Sequence, residues 1–198
     1  MDIKYIGCGE IPENTTEYAV CLGVFDGVHM GHRALVKKTV LRAKELGLKS
    51  AAAAFIPSCG RERIYLLEQQ AELIEKMGID TMFAILLDDK LKNTGCEEFL
   101  EKYLFGYIKA KHIVCGYDYT FGVNKSGNAQ TIAENSEIYG YSYDIIDKVC
   151  SKNERVSSTL IRSLIKEGNI KRANEMLCED FYFEGCVKCG YKLGRTIG

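Results

Sequence analysis

Two histidines, His29 and His32, lie three residues apart in the stretch GVFDGVHMGH (Gly23 to His32). At the start of a helix that spacing turns both imidazoles the same way. An apolar run, Ala19 to Phe25, enters the stretch and a helix-patterned one, RALVKKTVLRAKEL, leaves it, so the segment reads as strand, tight turn and helix start. Backbone N–H groups without an intrahelical partner point out of such a first turn, and the macrodipole adds about half a positive charge there. Gly27 and Gly31 lack the Cβ that would block a sharp turn or the close approach of a ligand. Two ring donors on an anion-binding terminus suit phosphate oxygens that gain charge in a phosphoryl-transfer transition state, where positioning and electrostatics supply nearly all of the catalysis. The chain has three histidines in all, so finding two of them here argues against scattered surface residues.

A second candidate anion cradle lies far along the chain, in RVSSTLIR (Arg155 to Arg162). A Ser or Thr caps a helix there, and Leu160, Ile161, Leu164 and Ile165 mark its buried face. The hydroxyls of Ser158 and Thr159, the free amides and the planar fork of Arg162 one turn later can together grip phosphate. Between the two cradles, the loop GYDYTFG (Gly116 to Gly122) follows the strand-like KHIVC, so Asp118 leaves the sheet on the side of His29. The plainer reading of that loop is an Asx turn, with Tyr119 and Phe121 as satellite core.

The elements that must position these groups alternate. Leu35, Val36, Val40 and Ala43 mark one helix face that Gly47 stops. Ser50 to Phe55 reads as a buried strand ended by Pro57, although four alanines alone favour helix. Leu67, Ala71, Ile74 and Met77 mark a second helix, closed by Gly78 before a strand at Thr81 to Leu87. Phe99, Leu100, Tyr103, Leu104 and Tyr107 mark a third helix. A strand at Lys111 to Gly116, a helical stretch from Ala129 to Tyr139 and a strand in YSYDII follow. Strands alternating with helices predict an α/β fold with a doubly wound parallel sheet, whose ligands lie beyond the carboxyl ends of the strands. Every candidate group falls at such an end.

At 198 residues, 46% of them hydrophobic, the chain suffices for one well-buried domain. A net charge of −1 gives no broad basic field and argues against nucleic acid as the main partner. The amino-terminal residues lack a cationic start with an apolar core, and no run reaches the ~20 residues that cross a bilayer, so a cytoplasmic protein without membrane association is expected. Nine scattered cysteines fit reduced thiols rather than a disulfide framework. The lone C-x-x-C, Cys186 to Cys189, has no second pair or histidine beside it, so no zinc site is expected. Walker A, H-E-x-x-H and G-x-G-x-x-G motifs do not occur.

H-x-G-H after a strand and a glycine-bearing turn resembles the signature of the nucleotidylyltransferase superfamily, and GVFDGVHMGH is similar to that of its bacterial FAD synthetase branch. SSTLIR resembles the family's S-S-T-x-[IL]-R, and GYDYTFG its G-x-[DN]-[FY]-x-F-G. The resemblance covers essentially the whole chain. It implies a Rossmann-like fold and FMN adenylyltransferase activity, with AMP passing from ATP to FMN to give FAD and pyrophosphate. It further implies catalytic roles for His29, His32, Ser158, Thr159 and Arg162. Carried over residue by residue, it places ATP on Gly23, Phe25, Asp26, Gly27, His29, Gly31, His32, Asp118, Ser158, Thr159 and Arg162. It places FMN on Phe55, Pro57, Asp118, Tyr119 and Phe121. Mg²⁺ is expected on the nucleotide phosphates with few protein ligands. Other adenylyl- or cytidylyltransferase activities, or a non-catalytic flavin- or nucleotide-binding module, remain open, as does the oligomeric state.

Two departures from the family pattern stand out. Cys59 replaces the second proline of F-x-P-x-P in FIPSC, and Gln69-Gln70 stand where Glu-Lys is usual. Residues 1–180 are expected to form the adenylyltransferase domain. Residues 181–198 resemble the segment leading into a riboflavin kinase domain and stop before its P-T-A-N motif, so no kinase activity is expected of them.

Overall fold

Short apolar runs became strands and longer amphipathic runs became helices in the computed structural model, which describes residues 1–7, 15–57 and 62–187. The strands are β1 (Asp2–Ile6), β2 (Tyr18–Gly23), β3 (Lys49–Pro57), β4 (Thr81–Leu87), β5 (Ala110–Gly116), β6 (Thr120–Phe121), β7 (Gly127–Asn128), β8 (Ser142–Ile146), β9 (Cys150–Ser151) and β10 (Glu154–Arg155). Six of them form one sheet in the order β1-β4-β3-β2-β5-β8, with every neighbouring pair parallel. The remaining four form two short antiparallel ribbons, β6 with β7 and β9 with β10. From β2 the chain winds outward through β3 to β4, and from β5 in the other direction to β8, so the winding reverses between β2 and β5. That reversal opens a crevice beyond the ends of these two strands.

The helices are α1 (Met30–Leu46), α2 (Leu67–Lys76), α3 (Asp89–Lys92), α4 (Cys96–Glu98), α5 (Ala129–Glu134), α6 (Ser136–Tyr139), α7 (Ser158–Lys166) and α8 (Ile170–Leu177). α1, α2, α7 and α8 bury Val36, Ile74, Ile161 and Met176 against one face of the sheet. On the other face lies the segment Phe99–Ile108, with Ile132 of α5. β3 shows why the alanines form a strand: Ala51 and Ala53 fill one core and Ala52 and Ala54 the other, all with at most 1% exposure. A central parallel strand has no solvent face, and burial outweighs a helix preference of a few tenths of a kcal/mol per residue.

The predicted boundaries of β4 match to the residue, and Gly47 closes α1 with a left-handed φ of 67° as expected. Three expectations are corrected. The segment Phe99–Ile108 is wound as a π-helix, wider than the predicted α-helix. The stretch from Ala129 to Tyr139 breaks at Asn135 into α5 and α6. In α7 only Ile161 and Leu164 are fully buried, while Leu160 and Ile165 are half-buried at the margin.

Gln69 and Gln70 now have a physical account. Both are buried, at 5% and 3% exposure. Gln69 Oε1 accepts from the Leu66 N–H at 2.9 Å, bracing the start of α2, and Gln70 Nε2 donates to the Tyr65 carbonyl at 3.1 Å. Charged side chains there would be desolvated at a greater cost than neutral amides, although Gln69 Nε2 is itself buried without a partner among the described residues. Cys59 lies outside the described residues, as do residues 188–198.

Candidate active site

The turn after β2 carries an unusual run of backbone conformations. Phe25, Gly27 and Val28 have φ of 54°, 83° and 41°. Only glycine adopts this region freely, so the two fully buried apolar residues are held there by their surroundings. The left-handed φ favours glycine at Gly27, and a Cβ there would also press on Ile64, 2.7 Å from its Cδ1.

The turn delivers His29 as the N-cap of α1, its Nδ1 accepting from the His32 N–H at 3.4 Å. With Nδ1 as acceptor, a neutral His29 carries its proton on Nε2, which is left free to donate. The two imidazoles stack with centroids 3.8 Å apart, and a Cβ on Gly31 would lie 3.1 Å from His29 Cε1. Burial drives the His29 pKa down to about 4. Burial, and then the charge of His29, holds His32 well below the ordinary value. Both rings are therefore neutral at pH 7 and offer hydrogen bonds rather than full charges. His32 Nδ1 is buried without a partner among the described residues.

Ser157 proves to be the cap of α7, accepting from the Leu160 N–H at 3.3 Å. That leaves Ser158 and Thr159 in the exposed first turn. Ser158 Oγ donates to the Asp26 carbonyl at 2.8 Å, tying α7 to the His29 turn. Arg162 donates to Asp26 Oδ2 at 2.5 Å and to Thr159 Oγ1 at 3.2 Å. Asp26, only 4% exposed, also accepts from the Ile64 N–H at 2.7 Å. Its carboxylate is thus occupied by protein donors and aims Arg162, whose other N–H groups stay open.

Across the crevice, Asp118 follows β5 and is ion-paired with Arg155, whose guanidinium lies 5.5 Å from the Tyr117 ring centroid. Arg155 is a cleft residue that sequence reasoning missed. It precedes the serine motif without a spacing of its own, and only the β9–β10 ribbon turns it inward. Phe121 (7% exposed) lies between Phe99 and Tyr119, with Phe55 beside both of the latter. These aromatics, Leu87 and Leu91 form the apolar wall of a cleft of about 770 Å³ whose other wall is His29, His32, Ser158, Thr159 and Arg162. Phe121 and Tyr119 are therefore both core and cleft. Gly23, Asp26, Gly31, Phe55, Pro57 and Asp118 also line the cleft, whereas Phe25 and Gly27 stand behind it as buried supports.

One half of the cleft is thus polar, with neutral ring donors, hydroxyls and a guanidinium at two helix N-termini. The other half is flat and aromatic. The pair suits a ligand with phosphates at one end and a planar apolar ring at the other.

Comparison with known proteins agrees with this geometry. Residues 11–160 match the family model described as FAD synthetase. The bifunctional riboflavin kinase/FMN adenylyltransferase of Listeria monocytogenes is 34% identical over 188 residues, 90% of this chain and 59% of that protein. The Bacillus subtilis protein of the same name is 28% identical over 197 residues, 95% of this chain and 62% of that one. The chain therefore spans about three fifths of the length of these curated relatives. A solved Streptococcus pneumoniae chain, titled a macrolide-efflux protein, superposes over all of this chain and 66% of its own, with a TM-score of 0.85 and 25% identity. No helix among the described residues here is long and apolar enough to cross a membrane. Thermotoga maritima TmcAL, solved with alpha-thio ATP, shares the fold alone, with a TM-score of 0.50 and 14% identity over 82% of this chain and 53% of that one.

Proposed function

This chain belongs to the FAD synthetase family, and from that premise we propose that it transfers AMP from ATP to FMN, giving FAD and releasing pyrophosphate. The observation that carries the reading is one cleft that joins a wall of imidazoles, hydroxyls and a guanidinium to an aromatic wall. In this reading an FMN phosphate oxygen attacks the α-phosphorus of ATP in line, the bond to the β-phosphate oxygen breaks, and no covalent enzyme intermediate forms. His29 and His32, neutral and pre-aimed, donate to phosphate oxygens as charge grows on them. Ser158, Thr159 and Arg162 receive the departing pyrophosphate. Phe55, Pro57, Tyr119 and Phe121 hold the flavin ring, with Asp118 at the junction of the two halves.

Mg²⁺ fits as an ion that arrives on the nucleotide. Asp26 and Asp118 are each paired with an arginine, and among the described residues no group of three or more His, Cys, Asp or Glu side chains is arranged around a metal. Such an ion keeps most of its waters, neutralises phosphate charge and asks for few protein ligands. Residues 1–180 are the catalytic unit in this reading, and the cytoplasm is its location.

The test is incubation of the protein with ATP, Mg²⁺ and FMN, followed by chromatography. FAD and pyrophosphate in equal amounts are expected. No FAD at saturating FMN, with FMN still bound, would leave a binding module.

A further inference from the structure

The turn that presents His29 is braced from behind by the chain that follows α8. Val28 has a φ of 41°, a conformation that a β-branched residue keeps only when its neighbours impose it. Two hydrogen bonds do so. Its N–H donates to the Phe25 carbonyl at 3.0 Å, and its carbonyl accepts from Arg33 Nε at 3.0 Å. Arg33 is fixed in turn by Glu179, whose Oε2 accepts from the guanidinium at 2.9 Å, with both side chains largely buried.

Glu179 begins a strap. Cys178, with a φ of 61°, ends α8 and redirects the chain. Asn174 then holds the strap by donating to Asp180 at 2.8 Å and accepting from the Phe181 N–H at 2.9 Å. The rings of Phe181 and Tyr182 lie against Tyr65, with centroids 6.1 and 5.2 Å away. The strap's root reaches the turn as well, because a Cβ on Gly27 would lie 3.2 Å from Leu177 Cδ2. Arg33, Tyr65 and Glu179 all lie outside the cleft lining.

We propose that Arg33 and Glu179 are positioning residues: the guanidinium, clamped by the strap, holds the Val28 carbonyl and so aims His29 into the cleft. A small displacement of a catalytic group, caused by a change far from the chemistry, can cost up to ~100-fold in rate, so the strap's position sets turnover without touching substrate.

The kinetic part of the test rests on the FAD-forming reading, and the exchange part does not. Arg33→Ala, Glu179→Ala and Glu179→Gln are made in the full chain. Both alanine variants should lower kcat by ~10-fold with KM for ATP and FMN within about twofold, the signature of lost transition-state alignment. Glu179→Gln still accepts from Arg33 and should keep at least about half the turnover. Amide hydrogen exchange at Val28 to His32 should accelerate in the alanine variants and stay as in the parent in Glu179→Gln. Parental kcat in both alanine variants, even with a lowered melting temperature, would make the pair a stabilising contact only and overturn the proposal. So would unchanged exchange at Val28 to His32. If the unmodified chain forms no FAD, the activity reading fails on its own and the exchange result alone decides the proposal.

Discussion

Buried histidine occurs at both ends of the parallel strands, and the two ends treat it differently. At the amino end of β5, His112 (2% exposed) has Ser142 Oγ 2.7 Å from Nδ1 and Asp144 Oδ2 3.1 Å from Nε2. The second approach is not aligned as a hydrogen bond. Asp144 is itself gripped by Arg42 at 2.6 and 3.3 Å and approached by Lys38 at 3.6 Å. At the carboxyl ends, His29 is 7% exposed and His32 is partly buried, His32 Nδ1 has no partner among the described residues, and the backbone beneath them is strained. Burial lowers the pKa of all three. What separates them is what each ring faces: His112 sits against Ser142 and an Asp144 carboxylate already held by Arg42 and Lys38, whereas His29 and His32 line the cleft.

The largest effect should come from removing the cleft-facing rings. His29→Asn keeps an acceptor for capping α1 but loses the ring donor, and His32→Ala loses its ring altogether. Each should lower turnover by ~100-fold, with folding stability changed by no more than ~1 kcal/mol in His29→Asn. Parental turnover in both would erase the contrast.

Acid titration sharpens it next. Free imidazole titrates near 6.5, whereas folded His29 titrates at about 4, so between these values the unfolded chain binds more protons and acid favours unfolding. The stabilisation is fully present above pH 6.5 and is lost as the pH falls towards 4, by up to ~3 kcal/mol for the shift at His29. Urea unfolding at stepped pH should show a shallower slope in His29→Asn than in the parent. Equal slopes would contradict the neutral, desolvated ring.

Arg162→Lys should cost ~10-fold in turnover, because a point ammonium cannot face Asp26, Thr159 and phosphate together. Steady-state kinetics at saturating ATP checks this, and full activity would place Arg162 outside the chemistry. The smallest effect is expected at the His112 end. His112→Ala should destabilise by about 1 kcal/mol, as Ser142 and Asp144 each lose a partner but keep access to water, and should leave turnover within about twofold. A loss of activity there matching that of His29→Asn would break the comparison from the other side.

Much of the fold and site was legible in the residues because local rules govern those parts. A short unbroken apolar run set β4, glycine's left-handed freedom closed α1, and histidines spaced by one helical turn at a strand-to-helix junction pointed to an anion site. Resemblance supplied the pairing of SSTLIR with the first cradle, which no local pattern could. Other features depend on groups far apart in the chain. Asp26 appears in the sequence as one more nucleotide-facing carboxylate, but tertiary packing buries it and brings Arg162 and the Ile64 amide onto its two oxygens. Whether a charge is spent on a ligand or on another residue depends on which donors the fold brings within 3 Å. The burial of Gln69 and Gln70, the turning of Arg155 onto Asp118, and the Glu179 strap across 146 residues to Arg33 were decided in the same way. Periodicity and spacing report on a chain's neighbours along its length, so the sequence by itself determined the strands and the turn. Hydrogen bonds and desolvation act through space, so only the tertiary structure decided which side chains face the cleft and which hold the others in place.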